Sequence, residues 1–231
     1  AYLATADGKT ILTKKYPFNV YKYSETELES DKSDKGIYES TDNDGITYYY
    51  RGNVTNNYIK FGDFYWRVVR INGDGTIRLL YAGTNINAEG IDLGIGKSQF
   101  NTQKSDPTYV GYMYSNTLET SYDDTLTNDN DSAIKKTLDN WYKTNIVDTG
   151  YSNYVADSGF CNDRNLSYGN GYSSTANTFY TAYGRITNGT PTFTCANPEN
   201  DLYTLSNSEK GNKSLTYPVG TITVDELLYG G

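Results

Sequence analysis

Short apolar segments separated by turn residues dominate the chain between positions 46 and 81. They are rich in aromatic and β-branched residues, which fit a pleated, partly buried surface. They predict four strands, at Ile46–Arg51, Tyr58–Phe61, Phe64–Ile71 and Thr76–Tyr81. The turn sequence NGDG at 72–75 separates the last two and is a strong hairpin signal. The pattern therefore predicts a twisted antiparallel sheet.

The strand predicted at 64–71 has no purely polar face. Strict alternation gives one face to Trp66 and Val68 and the other to Arg67, Val69 and Ile71. Apolar side chains thus point to both sides of the strand. We expect a central strand whose two faces are both covered.

Helical spacing first becomes clear after position 131. Asp131 or Ser132 can cap a helix of about Ser132–Asn145. Its apolar positions are Ile134, Leu138, Trp141 and Tyr142, and its polar flank is formed by Lys135, Lys136, Asp139 and Lys143. We expect this helix to place Trp141 in the core.

A second helix is predicted at the end of the sequence. Thr223 and Glu226 form a capping box ahead of Leu227 and Leu228, and two glycines stop the helix. The segment between the two helices, 151–217, is dominated by Gly, Asn, Ser, Thr and Tyr and is expected to be loop-rich. The fold class predicted is α+β, β-rich, with two short helices and long loops.

The first 36 residues differ from the rest in their pattern of apolar and charged residues. A strand pair is predicted around Thr10–Leu12 and Phe18–Tyr23, followed by the charged segment Ser24–Gly36. That segment shows no apolar periodicity, and we interpret it as a linker or as a solvated surface loop. The predicted organisation is therefore an N-terminal strand and linker segment, 1–36, and a single module, 37–231.

Composition narrows the classes of partner. Twenty Lys and Arg against 28 Asp and Glu give a net charge of −8 and leave no basic stripe for nucleic acid. No run of 18 apolar residues occurs, so membrane insertion is not expected. The sequence contains no histidine, which excludes Ser-His-Asp and Cys-His catalysis and makes a catalytic zinc site improbable.

Two cysteines, Cys161 and Cys195, are the only thiols in the sequence. An even count in an otherwise thiol-free chain favours a disulfide and an oxidising, extracellular or cell-surface location. Closing a loop of about 34 residues would stabilise the fold by about 4 kcal/mol on the chain-entropy estimate. Two buried free thiols are the alternative.

Six blocks of the sequence, in order, carry a family resemblance. They are GIYESTDNDGITYYYRGNV (36–54), IKFGDFYWRVVRINGDGTIRLLYAG (59–83), YVGYMYS (109–115), DSAIKKTLDNWYKTN (131–145), YVADSGFCNDRN (154–165) and LTYPVGTITVDELLYGG (215–231). The chain from position 36 onwards resembles an uncharacterised family of secreted or surface modules of low-GC Gram-positive bacteria. More distantly, the last block is similar to C-type-lectin-like and formylglycine-generating-enzyme-like folds.

The resemblance implies a C-type-lectin-like module. In the resembling bacterial family, an aromatic block and a terminal strand usually follow the last matching block. The resemblance therefore implies either that the module is C-terminally incomplete or that this member closes its sheet differently. An enzyme of the formylglycine-generating type would need its active cysteines beyond position 231, because nothing near Cys161 or Cys195 matches that motif. No catalytic residue is therefore predicted, and we expect a protein that is not an enzyme.

Calcium is a candidate ligand at two oxygen-rich segments. DNDG at 42–45 and NDND at 128–131 offer carboxylate and amide oxygens, although neither continues into an EF-hand. The same residues serve equally well in turns and helix caps without a metal.

A ring-rich loop between the cysteines is the favoured binding surface. Its aromatic residues are Tyr168, Tyr172, Phe179, Tyr180 and Tyr183, and Asn162 and Asp163 supply polar groups near Cys161. Tyr gives large contact areas at low entropic cost, and its ring can stack on a sugar. The alternative is that these rings cover a core poor in aliphatic residues.

The leading functional hypothesis is an extracellular binding or adhesion module that recognises a glycan or a surface protein. A structural module of a stalk or filament, which associates with copies of itself, is the alternative. A fragment of a formylglycine-generating-type enzyme is the third.

Overall fold

The computed structural model describes residues 36–115 and 120–231 together with the backbone of 20–22. It has the predicted α+β class, with α-helices and mainly antiparallel sheets. The strands are β1 Val20–Lys22, β2 Ile37–Asp42, β3 Gly45–Tyr50, β4 Tyr58–Phe61, β5 Phe64–Ile71, β6 Ile77–Tyr81, β7 Met113–Tyr114, β8 Asn130–Asp131, β9 Phe160–Cys161, β10 Leu166–Tyr168, β11 Phe179–Tyr180 and β12 Leu202–Tyr203. The α-helices are α1 Tyr122–Thr125, α2 Ala133–Tyr142, α3 Thr181–Asn188, α4 Pro198–Asp201 and α5 Val224–Gly230.

The main sheet has six strands, and β5 is its central strand. β5 pairs antiparallel with β3 and β4 on one side and with β6 on the other. The four strands predicted from the pattern correspond to β3, β4, β5 and β6, and the predicted NGDG hairpin joins the last two. β2, which forms a hairpin with β3 through the DNDG turn, was not predicted as a strand.

The alternation predicted for β5 is wrong at its C-terminal end. Val68 pairs with Leu79 and Arg70 pairs with Arg78, so Val69 is an extra residue in β5. Such a bulge reverses the faces of all residues beyond it. Ile71 therefore lies on the Trp66 face, and Arg70 lies on the opposite face.

We call the face that carries Tyr38, Tyr49, Arg70 and Arg78 the inner face of the sheet. α5 packs on this face through Tyr229, whose ring lies 4.7 Å from that of Tyr49 and 3.9 Å from that of Phe193. Tyr38, Tyr49, Phe193 and Tyr229 are all buried and form one core cluster. Aromatic pairs of this kind supply burial and orientation together.

α2 covers the opposite face through Trp141. Its ring centroid lies 5.2 Å from that of Phe64 and 5.4 Å from that of Tyr81. Both faces of β5 are thus covered, as predicted. Trp141 itself is only half-buried, so it belongs to an aromatic cluster at the sheet surface and not to the fully buried core.

α2 begins after its predicted cap, Ser132, whose side chain accepts a hydrogen bond from the Lys135 amide. Its last turn continues into a π-helical turn at Lys143–Val147. Lys135 does not lie on a polar flank: its side chain is 1% exposed, and its ammonium contacts Asp131 at 3.1 Å and Asp139 at 2.6 Å. The prediction for Lys135 was wrong because two flanking carboxylates compensate its burial.

The predicted number of helices, two, was too small. α2 and α5 match the predicted pair, and the capping box of Thr223 and Glu226 is present in α5. The described residues also contain α1, α3 and α4, of which α3 lies in the segment expected to be loop-rich. Its sequence, TAYGRITN, holds a glycine and β-branched residues, which lower helical propensity.

Glu226 of α5 lies between two arginines of the inner face. Its carboxylate accepts a hydrogen bond from Arg78 Nε at 2.8 Å and lies 3.6 Å from Arg70 Nε. Burial alone would raise the pKa of Glu226, but the charges of Arg78 and Arg70 outweigh it and hold that pKa below its ordinary value of 4.5. This contact ties α5 to the sheet.

Cys161 and Cys195 form the predicted disulfide, with a Cα–Cα distance of 5.5 Å. The bond joins β9 to the segment that follows α3. The Asn43 side chain, in the β2–β3 turn, donates to the Cys195 carbonyl and accepts from its amide. The disulfide is therefore also connected to the main sheet.

The predictions for the first 36 residues fall mostly outside the described part. Within it, β1 pairs in parallel with β2, in the register Val20 to Ile37. The strand predicted at Thr10–Leu12 and the linker residues 24–35 lie outside the described residues. In the described part of the chain, no helix combines the length and the apolar character needed to cross a bilayer.

Replacing Glu226 by Gln should destabilise the fold by about 3 kcal/mol at pH 7, because two buried arginines lose their compensating charge. The folded pKa of Glu226 is depressed, so its contribution is present above its unfolded pKa of 4.5 and is lost as the pH falls through the folded pKa. The difference between the natural chain and Glu226→Gln should therefore shrink below about pH 4.5. Urea unfolding across pH 3–7 measures this.

The matched control is Glu89→Gln, because Glu89 is exposed. It should change stability by less than about 0.5 kcal/mol at every pH. Equal effects of the two substitutions would contradict the role given to Glu226.

Removing the disulfide as Cys161→Ala with Cys195→Ala should lower the free energy of unfolding by about 4 kcal/mol. Chemical denaturation with and without a reductant tests this. The reductant should destabilise the natural chain and leave the double variant unchanged. A natural chain insensitive to complete reduction would rule out a stabilising disulfide.

Candidate functional site

The ring-rich loop forms a platform of one hairpin and one helix. β10 and β11 pair antiparallel, with Leu166 opposite Tyr180 and Tyr168 opposite Phe179. α3 follows β11 directly and ends at Gly189, whose φ of 64° is the left-handed conformation that glycine adopts without strain. The hairpin and the helix together hold the ring-bearing residues in regular secondary structure.

Three rings of this platform lie side by side on the surface. The Phe179 ring centroid lies 6.1 Å from that of Tyr168 and 5.7 Å from that of Tyr183. The residues are 67% (Tyr168), 43% (Phe179) and 57% (Tyr183) exposed. We call these three residues the aromatic strip. Ile186, one turn after Tyr183 on α3, is 44% exposed and extends it.

The aromatic strip does not cover the core. Other tyrosines of the chain, such as Tyr38, Tyr49 and Tyr203, are buried at 2% exposure or less. An exposed cluster of large rings in contact is uncommon on a monomeric surface and is typical of a recognition site.

Arg185 fixes α3 to the body of the protein. Its guanidinium forms two hydrogen bonds with Asp225 of α5, at 2.7 and 2.9 Å, and one with Asp163 at 2.7 Å. The hydrogen bonds to Asp225, opposed by partial burial and reinforced by Asp163, raise the pKa of Arg185 above its ordinary value. Asp225 and Asp163 thereby hold the helix that carries Tyr183.

The loop between β10 and β11 is held by local contacts. The Asn170 side chain accepts from the amides of Tyr172 and Ser173, both at 3.3 Å. Gly169 has a φ of 91°, and a Cβ there would lie 2.3 Å from the Asn177 carbonyl oxygen. Only glycine fits this position, so the hairpin depends on it.

The predicted binding residues Tyr172 and Tyr180 do not join the aromatic strip. Tyr180 points inward, and burial raises its pKa to about 12. Tyr172 is half-buried, and its carbonyl accepts a hydrogen bond from Thr108. Both residues support the platform.

Asn162 and Asp163 are also placed away from the rings. Both line a cavity that no residue of the aromatic strip lines. The Asn162 amide donates to the Asp201 carbonyl, and Asp163 receives hydrogen bonds from Arg185, Thr181 and the Asn165 amide. Asp163 fixes the start of α3 through Thr181 and Arg185, and the Asn162 backbone joins β9 to the end of α4.

At the DNDG candidate calcium segment, side-chain oxygens have protein partners. In DNDG, Asp42 accepts from Arg70 and the Gly73 amide, and Asp44 contacts the Lys210 ammonium at 2.6 Å. Burial alone would lower the pKa of Lys210, but Asp44 and Asp74 raise it, so a cation already sits between these carboxylates.

In NDND, Asn128 accepts from Arg164 and Tyr203, and Asp131 pairs with Lys135. Within the described ranges, no cluster of three or more Asp, Glu, His or Cys residues is arranged to hold a metal ion. Calcium binding stays a prediction.

Sequence reasoning missed Arg185 and Ile186 because it missed α3. Gly189 after a segment with Tyr183 and Ile186 three residues apart was the available signal for a helix end. The partner of Arg185, Asp225, is 40 residues away, and nothing in the local sequence predicts that pairing.

Comparison of the chain with protein-family models, with curated proteins and with solved structures gave no match.

Replacing Arg185 by Gln should leave Asp225 and Asp163 without their cation and loosen α3. We expect the amides of α3 to exchange hydrogen faster, with an overall loss of about 1–3 kcal/mol. Lys143→Gln is the control, because Lys143 pairs with Asp148 at a site where both side chains are at least half exposed. It should cost less than about 1 kcal/mol. Unchanged exchange in α3 of Arg185→Gln would refute the anchoring role.

Proposed function

We propose that this chain is an extracellular, non-catalytic binding module that recognises a glycan through the aromatic strip. The observation that carries the proposal is the contact of three large, exposed rings on a rigid hairpin and helix. Flat rings of this kind offer the C–H faces of a sugar an apolar stacking surface at low entropic cost. Ser167, Thr187 and Asn188 lie nearby in sequence, are exposed, and supply hydrogen-bonding groups for hydroxyls.

The extracellular placement in this proposal is supported by the disulfide, which persists in an oxidising compartment. The non-catalytic character is supported by the absence of histidine from the sequence and by the engagement of both cysteines with each other. A C-type-lectin-like classification is part of the same proposal, and the α+β class is compatible with it.

The experiment is a glycan array probed with the full chain, followed by calorimetric titration of the best hit. Tyr183→Ala and Tyr168→Ala should each weaken binding about tenfold or more, because each removes one of the three rings on which the sugar stacks. Tyr154→Ala is the control, since Tyr154 is 47% exposed and its ring makes no contact with the strip. It should leave the affinity unchanged.

Two outcomes would overturn the proposal. One is an array on which the natural chain binds no glycan. The other is concentration-dependent self-association in sedimentation that Tyr183→Ala abolishes, with no glycan bound, which would assign the aromatic strip to contacts between copies in a stalk or filament.

A further inference from the structure

A half-open cavity of about 280 Å³ lies beside α3, and no residue of the aromatic strip lines it. Its floor is the inner face of the sheet with Arg70 and Arg78, and its walls come from α3 and from the start of α5. Phe100 and Thr194 lie on its exposed rim. The volume is at the lower end of small-molecule pockets, which suits a ligand of one ring.

The two arginines of the floor are buried and held flat. Their side chains are 9% (Arg70) and 8% (Arg78) exposed. The Arg70 guanidinium lies 4.6 Å from the centroid of the Phe193 ring, and that of Arg78 lies 4.1 Å from the centroid of the Phe160 ring. A guanidinium stacked on a ring donates its hydrogen bonds in its own plane, so their direction is fixed in advance.

These guanidiniums have more donors than the protein satisfies. Among the described residues, Arg70 donates to Asp42 alone, through Nη1. Its buried Nε is 3.6 Å from Glu226, which is too far for a hydrogen bond. Arg78 donates to Glu226 through Nε and to the Gly159 carbonyl through Nη1. Within the described part of the chain, the Nη2 atoms of Arg70 and Arg78 donate to no acceptor. Neither atom is fully enclosed by protein.

A guanidinium carries five N–H donors, and leaving buried donors unmatched is costly. Burial, followed by the charge of Arg78, lowers the pKa of Arg70, in line with an under-solvated cation. The open donors at the cavity floor therefore favour an occupant rich in oxygen acceptors.

The charges around the cavity indicate that this occupant is neutral. Arg70 and Arg78 face the carboxylates of Asp42 and Glu226, while Arg185 faces two more. Carboxylates therefore outnumber guanidiniums, and an added anion would lack a compensating charge. The carboxylates also retain lone pairs, which hydroxyl donors can use.

We propose that this cavity binds one neutral, polyhydroxylated unit, a single sugar ring, whose hydroxyls accept from Arg70 and Arg78 and donate to the neighbouring carboxylates. Phe193, Ile222 and Val224 line the cavity and provide apolar surface for the C–H groups of the ring. The cavity and the aromatic strip share no residue, and the cavity proposal does not depend on the strip.

The test is a titration of the isotope-labelled full chain, followed by amide chemical shifts. The neutral probes are glucose, galactose, mannose and N-acetylglucosamine, and the anionic probes are glucuronate and sulfate. At least one neutral sugar should produce saturable shifts at cavity-lining residues such as Thr192, Thr194 and Val224. It should bind more tightly than either anion.

Two variants that obstruct the cavity from opposite sides should weaken this binding about tenfold or more. They are Thr194→Trp at the rim and Ala182→Leu on the α3 wall. Thr190→Trp is the matched control, because Thr190 is exposed in the same segment and does not line the cavity. Tyr183→Ala should leave the cavity shifts unchanged, which separates this site from the aromatic strip.

The proposal is overturned if no neutral sugar shifts the cavity residues, or if glucuronate or sulfate binds more tightly than every neutral probe. It is also overturned if Thr194→Trp and Ala182→Leu bind the sugar as well as Thr190→Trp does, provided that both variants melt at the same temperature as the natural chain.

Discussion

The contact of Glu226 with Arg78 and Arg70 positions the rest of the molecule. It fixes α5 on the inner face of the sheet, and α5 in turn offers Asp225 to Arg185 of α3. α3 carries Tyr183, so the aromatic strip is positioned through two successive ion pairs. Ion pairs have the directionality for this task, because a shift of either partner breaks hydrogen bonds in a medium of low dielectric constant.

The chain builds its core largely from amphipathic side chains. Tyr229 illustrates the consequence: its ring stacks on Phe193, while its hydroxyl donates to the Pro191 carbonyl and lies 3.1 Å from Ser40 Oγ. Tyr229 thus contributes apolar area together with a directed hydrogen bond. Arg164, whose side chain is 2% exposed, is a buried charged residue with several directed contacts. It pairs with Asp201 and donates to the carbonyls of Met113 and Thr125. Loops with few aliphatic residues are thereby held in one arrangement.

The features that could be predicted from the sequence are those determined by residues close together in the chain. The NGDG hairpin, the Ser132 cap and the capping box of Thr223 all depend on residues within four positions of each other. The bulge at Val69 could not be predicted, because it follows from the pairing of Arg70 with Arg78 on the neighbouring strand. The pairing of Arg78 with Glu226, 148 residues apart, is a property of the fold alone. For the candidate site, the ring residues could be proposed from composition, but the division between exposed Tyr183 and inward Tyr180 required α3.

α3 separates two surfaces of different chemistry. Ala182 and Arg185 line the cavity, whereas Tyr183 and Ile186 are exposed on the platform. Ala182 and Tyr183 are adjacent positions, as are Arg185 and Ile186, and adjacent positions on a helix point about 100° apart. The outer side is apolar and aromatic, and the inner side has charged pairs with open donors. A short helix held by Arg185 therefore carries an exposed stacking surface next to a cavity whose open donors come from Arg70 and Arg78 of the sheet.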